Sequence, residues 1–351
     1  MKKLVGIVGT HGLPATYSGW ETLVKNLFER KIKIEYLIAT PRSKISEQTE
    51  KQKKSSLHIP LKASGWQSLI YDAASMWRMR NRVDVILILG VSGCWFLPIF
   101  RSFFKGEIIT NTDGIEYRRE KWGMVASSIL KISEFLAVRF SDKLVADNPG
   151  INDYLLTKYA READVTIAYG GIEQNIDETL YYDKYPFDPK SFDLAIARIV
   201  PENNIENILD AYNGGARILI FIGNWTSSKY AYGLKNKPWS DNIHLLSADY
   251  DQLRVSSLRK ACRYYIHGHS AGGTNPSLVE ALSLGCNILC YDVNFNRHVI
   301  RKYGKYWIDT ETLKSLVDQD TDIQGTKSVL DYYNKEFKWE LIINSYEKIL
   351  C

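Results

Sequence analysis

Short apolar runs separated by amphipathic stretches recur along the chain, and this alternation predicts a β-α-β order with parallel sheets. Residues 4–8, 107–110 and 165–168 and the start of 85–100 read as buried strands in the first half, and the segment around Asn148–Gly150 reads as strand, turn and helix. In the second half the strands fall at the start of 194–209 and over 218–222, 243–246, 263–266 and 287–291. Helical periodicity is expected over 21–28, over 125–140, at the end of 194–209, and over 339–350, where one face is apolar. The longest apolar run, 85–100, is interrupted by Gly90, Ser92, Gly93 and Pro98. It falls short of the ~20 residues of a spanning helix, so it reads as strand, loop and helix start. The polar stretch 42–56, with Lys51, Lys53 and Lys54, is expected to be a mobile loop.

Length and composition bound this picture. A chain of 351 residues suits two domains of ordinary size, and 45% hydrophobic with 24% charged residues describes a soluble globular protein. The five cysteines form no CxxC pair and no ligand spacing with histidine, which suggests reduced thiols. The opening MKKLVGIVGT runs directly into polar and aromatic residues, so no signal peptide is expected. Residues 1–150 hold 23 Lys and Arg against 14 Asp and Glu, a net +9, leaving −4 for the remainder of the chain's +5. Such asymmetry points to an anionic partner, a membrane surface or a phosphorylated acceptor; a solvated lysine-rich face is the plainer reading. Phe100, Phe103 and Phe104 beside Arg101 and Lys105 fit either an amphipathic lipid contact or core packing. No nucleic-acid partner is expected.

Candidate chemistry concentrates at His267–Gly285, a strand end, a glycine-rich loop and a helix. Asn275 can cap that helix, Pro276 suits its first position, and Gly285 stops it. Gly268, Gly272 and Gly273 allow close backbone approach, and the free N–H groups of the helix start attract a phosphate or diphosphate. Glu280 lies among Leu278, Ala281 and Leu282, where a carboxylate needs hydrogen-bonding partners, and a ribose diol would supply them. Gly6, Gly9 and Gly12 do not follow GxGxxG, which disfavours a nicotinamide cofactor. Asp113 follows a strand's carboxyl end, as ligand contacts do in open α/β sheets, and a turn-forming aspartate would look the same. Gly223, Asn224 and Trp225 follow another such strand. Asp249 and Asp251 form a DxD string in a loop, too little to predict a metal.

The stretch GHSAGGTNPSLVEA resembles the donor-nucleotide motif of retaining family 4 glycosyltransferases of the GT-B fold, and more narrowly their bacterial rhamnosyltransferase branch. The resemblance implies that Glu280 holds the ribose, that Arg198 grips the diphosphate, and that Gly223, Asn224, Trp225, His269, Ser270, Gly272, Gly273, Thr274 and Asn275 line the donor site. It also implies that Ser18 and Gly19 open the path to the leaving phosphates and that 247–250 reads the base; Asp113, where many relatives carry a histidine, is expected to contact the sugar ring or acceptor instead. Glu116, Arg118, Arg119 and Lys121 resemble an acceptor-side segment. Two family charges are missing: the first of its two glutamates falls on Gly272, and its phosphate-binding lysine falls on Asn203, with Lys229 or Lys235 as replacements. His267 and His269 are expected to shape the loop or lie near the phosphate, and a hydrogen-bonded structural histidine is an equal reading of either.

The expected architecture is therefore α/β and GT-B, two Rossmann-like domains facing across a cleft. An acceptor-side domain spans 1–173, a linker 174–191, a nucleotide-sugar domain 192–335, and a last helix, about 336–351, returns to the first domain. The expected reaction moves L-rhamnose with retention from dTDP-β-L-rhamnose to a lipid-linked saccharide, as in bacterial surface polysaccharide synthesis, without metal or cofactor. Two alternatives stand beside it: a UDP- or GDP-hexose donor on the same fold, and a nucleotide-sugar-binding protein without turnover. The expected location is the cytoplasm, peripheral to the inner face of an anionic plasma membrane.

Overall fold

The computed structural model describes residues 2–15, 19–65, 67–118, 123–319 and 326–351. The chain divides into two compact units, Met1–Tyr169 with Trp339–Cys351, and Gly170–Lys338. Ser18, Arg119 and Lys121, singled out in the sequence, lie outside the described residues.

Among the described residues, the first unit holds a parallel sheet of seven strands in the order β3-β2-β1-β4-β5-β6-β7. These are β1 (Lys3–Val8), β2 (Ile34–Pro41), β3 (Ser56–Ile59), β4 (Val85–Leu89), β5 (Glu107–Asn111), β6 (Lys143–Ala146) and β7 (Val165–Thr166). Its helices are α1 (Gly19–Arg30), α2 (Glu50–Lys54), α3 (Gln67–Met79), α4 (Leu97–Phe100), α5 (Met124–Phe140) and α6 (Pro149–Tyr159). Every residue of β4 is buried, as a central parallel strand covered on both faces must be. Val85, Leu87 and Leu89 pack with Leu23, Val24 and Leu27 of α1, while Ile86 and Ile88 pack with Met76, Leu97 and Ala137 of α3, α4 and α5.

The stretch 42–56 is not a loop. It forms a 3-10 helix, Arg42–Glu47, then α2, whose capping box joins Thr49 and Gln52, and then the start of β3. The polar run hid these elements because α2 has no buried residue and hence no apolar period. Phe100 and Phe104 are core residues at 0% and 2% exposure, whereas Phe103 is 56% exposed.

Among the described residues, the second unit holds six parallel strands in the order β10-β9-β8-β11-β12-β13. These are β8 (Phe192–Ile196), β9 (Ile218–Gly223), β10 (Ile243–Ser247), β11 (Tyr265–His267), β12 (Ile288–Tyr291) and β13 (Lys305–Trp307). The helices continue as α7 (Ile205–Tyr212), α8 (Lys229–Lys235), α9 (Gln252–Ala261), α10 (Pro276–Ser283), α11 (Asn294–Ile300), α12 (Thr310–Asp318) and α13 (Thr326–Glu336). Residues 174–191 belong to this unit, with Tyr181 and Tyr185 buried. Asp193 fastens the start of β8 by accepting from the Arg263 guanidinium at 2.9 and 2.6 Å, the Tyr212 hydroxyl at 2.7 Å and the Tyr264 N–H at 3.0 Å.

The last helix, α14 (Trp339–Leu350), belongs to the first unit. Trp339, Ile342, Ile343 and Tyr346 join the core that α1 covers, and Glu347 accepts the N–H groups of Ile32 and Lys33 at 2.6 and 3.0 Å.

Candidate active site

In the second unit the strand order reverses direction between β8 and β11. Open parallel sheets bind ligands outside the carboxyl ends of strands at such a switch point. The loop after β8 carries Arg198 and Asn203, and the loop after β11 carries residues 268–275 and leads into α10. The two loops are laced together. Asn204 donates to the Gly268 carbonyl at 2.8 Å, and the Ser270 N–H and hydroxyl both donate to the Glu202 carbonyl, at 2.9 and 2.8 Å. A Cβ on Gly268 would lie 2.3 Å from the Asn203 carbonyl oxygen, so only glycine permits this approach.

The start of α10 is built as the sequence implied. Asn275 accepts from the Ser277 N–H at 3.0 Å, and Pro276 occupies the first turn, leaving the remaining amide donors at the helix start. Gly272 adopts φ +120° with open space where a Cβ would stand. Thr274 is buried, and Ser270, Gly273 and His269 are half-buried.

Glu280 stands on α10 at 27% side-chain exposure, 3.0 Å from the guanidinium of Arg259 on α9. Arg259 is 2% exposed, donates to the Ser277 hydroxyl at 3.1 Å, and lies 5.2 Å from the Tyr265 ring centroid. Burial works against its charge, but Glu280, Tyr265 and Cys286 beside it together offset this and hold its pKa above the ordinary guanidinium value. Glu280 thus offers a fixed carboxylate whose orientation is set by a buried cation. At the end of β11, His267 is buried and stacks on His269 with centroids 4.4 Å apart. Neither ring nitrogen of His267 finds a hydrogen-bond partner among the described residues. Burial, then His269 and Arg259, drive its pKa well below the usual histidine value, so the ring is neutral.

Arg198 is exposed at the end of β8, and its carbonyl accepts the Asn203 side chain at 2.8 Å. Asn203, at the position of the missing lysine, is buried and serves as a clip for the loop. Gly223 ends β9 where a Cβ would meet the Ile199 side chain at 2.4 Å. Asn224 accepts from the Thr226 N–H and hydroxyl at 3.2 and 3.0 Å, shaping a turn. Trp225 is 3% exposed, donates to the Leu246 carbonyl at 3.0 Å and packs edge-on against Phe221. It is a core residue. Lys229 and Lys235 are exposed on α8.

The DxD string is committed to the fold: Asp249 accepts from Arg254, Lys184 and Tyr185 at 2.7 to 2.9 Å, and Asp251 caps α9. Asn296 on α11 donates to the carbonyls of His269 and Tyr291, both at 2.9 Å, and Asp292 pairs with Arg297.

The first unit carries the other two sequence candidates. Gly19 begins α1, and Asp113 follows β5 with φ +58°, its N–H donating to the Asn111 side chain at 3.0 Å. Asn111 in turn donates to the Tyr346 hydroxyl of α14 at 2.8 Å. Below Asp113 the buried Glu134 accepts from Tyr154 and Tyr159 at 2.6 Å each and from Lys158 at 2.9 Å. Sequence reading missed the roles of Arg259, Asn204 and Glu134. Glu280 lies 21 positions from Arg259, and the partners of Glu134 are 20 or more positions away, so only the fold unites them.

Residues 2–172 match the family described as Domain of unknown function (DUF1972), and residues 183–323 match Glycosyl transferases group 1. An uncharacterized glycosyltransferase of Methanocaldococcus jannaschii, MJ1069, is 21% identical over 233 residues, spanning 61% of this chain and 59% of that protein. Sucrose-phosphate synthase from Thermosynechococcus elongatus superposes with TM-score 0.77 at 13% identity, covering 99% of this chain and 98% of that one. Anabaena Alr3699/HepE in complex with UDP-glucose superposes with TM-score 0.73 at 12% identity, covering 99% of both. The two parallel Rossmann-like sheets and the last helix are those of the GT-B fold. Residues 183–323 thus match Glycosyl transferases group 1 within a chain of the GT-B fold.

Proposed function

We propose that the chain is a glycosyltransferase whose second unit holds a nucleoside diphosphate sugar at the β8/β11 switch point. The observation that carries this reading is the lacing there of the loop that bears Arg198 to the loop that leads into α10, with the Glu280–Arg259 pair on that helix. The amide donors and Arg198 would bind the diphosphate and stabilise the charge that builds on it as the glycosidic bond breaks. Glu280 would accept from a ribose diol, its carboxylate held in place by Arg259. His267, neutral and unpartnered, is suited to a hydrogen bond with the donor rather than to an ionic one.

The specific reaction proposed is transfer of L-rhamnose from dTDP-β-L-rhamnose to a lipid-linked saccharide, with retention, at an anionic membrane surface. Asp113 is proposed to meet the sugar or the acceptor. A second reading, with UDP-glucose as donor, is favoured by the HepE complex named above. Turnover of both donors, beside UDP-N-acetylglucosamine and GDP-mannose, with lipid-linked mono- and disaccharides separates these readings by product mass. A deoxyhexose increment with the rhamnose donor alone supports the proposal, and a hexose increment moves the assignment to the second reading. Donor binding without any product would favour a binding protein, to which the replacements at Gly272 and Asn203 lend weight. In each case Glu280→Ala should weaken donor binding on the order of tenfold to a hundredfold, the worth of a charged hydrogen bond.

A further inference from the structure

Among the described residues, the first unit presents an apolar face that its own fold leaves uncovered. Leu69 and Ile70 of α3, Trp95 of the turn before α4, and Ile129 and Ile132 of α5 enclose an apolar groove of about 430 Å³. The face continues along α4 and the end of α3. Ile99 and Phe103 are 55% and 56% exposed, and the Trp77 ring packs edge-on against Phe103 at 5.2 Å. At the start of α5, Met124 and Val125 are 90% and 76% exposed. A monomer rarely leaves so many large apolar side chains together in water without a use for them.

Charge decides what the use is. Within the described segments 67–79, 94–105 and 123–140, the acids are Asp72 and Glu134, both buried at 3%. The cations Arg78, Lys105, Lys131 and Arg139 are all exposed. Arg101 is occupied by Asp142 at 2.9 Å, which also neutralises the next acid along the chain. An apolar groove with indoles at its side, on segments whose exposed charges are cations, complements a bilayer with anionic headgroups.

We infer that the α3–α4–α5 face of the first unit is a docking surface for an anionic lipid bilayer. Trp95, Ile99 and Phe103 enter the acyl boundary, and Arg78, Lys105, Lys131 and Arg139 rest among the headgroups. The inference deepens the membrane setting proposed above and rests on it for its purpose; vesicle binding, read without donor or acceptor, can succeed or fail apart from sugar transfer.

The test is co-sedimentation of the full chain with vesicles of phosphatidylcholine plus phosphatidylglycerol, and of phosphatidylcholine alone. The chain should pellet with the anionic vesicles and be released by salt. Ile99→Ser with Phe103→Ser, and separately Lys105→Glu with Lys131→Glu, should abolish pelleting while thermal unfolding stays as in the parent. Each cation removed near such a surface lowers partition roughly fivefold. The charge variants alter exposed positions and keep the test decisive if the apolar pair impairs folding. A parent chain that stays in the supernatant, or variants that pellet as the parent does, would overturn the inference. So would a concentration-dependent dimer by sedimentation velocity that Phe103→Ser dissolves, since the face would then belong to a second copy.

Discussion

At the scale of single residues, the consequential groups are buried charges whose partners the fold brings from a distance. Arg259 is a positioning residue: it touches Glu280, and removing it would leave that carboxylate without its fixed orientation. Arg259→Met should raise the donor KM on the order of tenfold and lower stability by a few kcal/mol, and Glu280→Gln added to it should cost less than the sum. Additive effects in the double-mutant cycle would separate the two residues. Asp72 offers a pH handle in the other unit. Its buried carboxyl, hydrogen-bonded by Ser92 and the Gly9 N–H, has its pKa pushed up to about 7, chiefly by burial. The native state therefore keeps a proton that the unfolded chain releases near pH 4, so stability falls as pH rises between those values and is level above them. Asp72→Asn cannot ionise. Urea midpoints should show the variant gaining on the parent by up to roughly 4 kcal/mol between pH 4 and pH 8. Parallel curves would refute the assignment. Neither group was legible in the sequence: Asp72 sits in an apolar helix and Arg259 on a weakly patterned one, and their burial depends on neighbours that no local pattern names.

At the scale of elements, local signals and structure agree where capping chemistry is unambiguous. Asn275, Pro276 and Gly285 marked the bounds of α10, and the apolar stripe of α14 located it at Trp339–Leu350. Elements without a buried face were lost, as α2 was, although Thr49 and Gln52 had the spacing of its capping box. At Trp225, which the sequence places in the donor site, the indole after a strand end turns inward to the Leu246 carbonyl. The lacing of the β8 and β11 loops adds a prediction at this scale. Gly268→Ala would set a methyl group 2.3 Å from the Asn203 oxygen and force the loops apart. A loss of about 1–3 kcal/mol in stability is expected, with donor affinity down at least tenfold by calorimetry. Unchanged affinity would mean that loop spacing does not set the site.

At the scale of the whole molecule, the first unit draws its core from both ends of the described chain. Ile343 is 2% exposed against the residues of α1. Ile343→Ala should cost that unit about 2–5 kcal/mol. Hydrogen-exchange mass spectrometry should show protection falling in peptides from Met1–Tyr169 and holding in those from Gly170–Lys338. An even loss across both units would show them to unfold as one. The two-unit organisation itself was legible from length and strand spacing. The uncovered apolar face was legible only in part: the sequence sets a lipid contact beside core packing for Phe100, Phe103 and Phe104, and only the fold turns Phe103 outward. The placement of α14 also sets an order of events at the ribosome. Gly170–Lys338 is complete in sequence before Trp339 is translated, so the later-encoded unit can close first. The earlier one must wait for its final helix with Leu23, Val24 and Leu27 still open to the chaperones that patrol nascent chains.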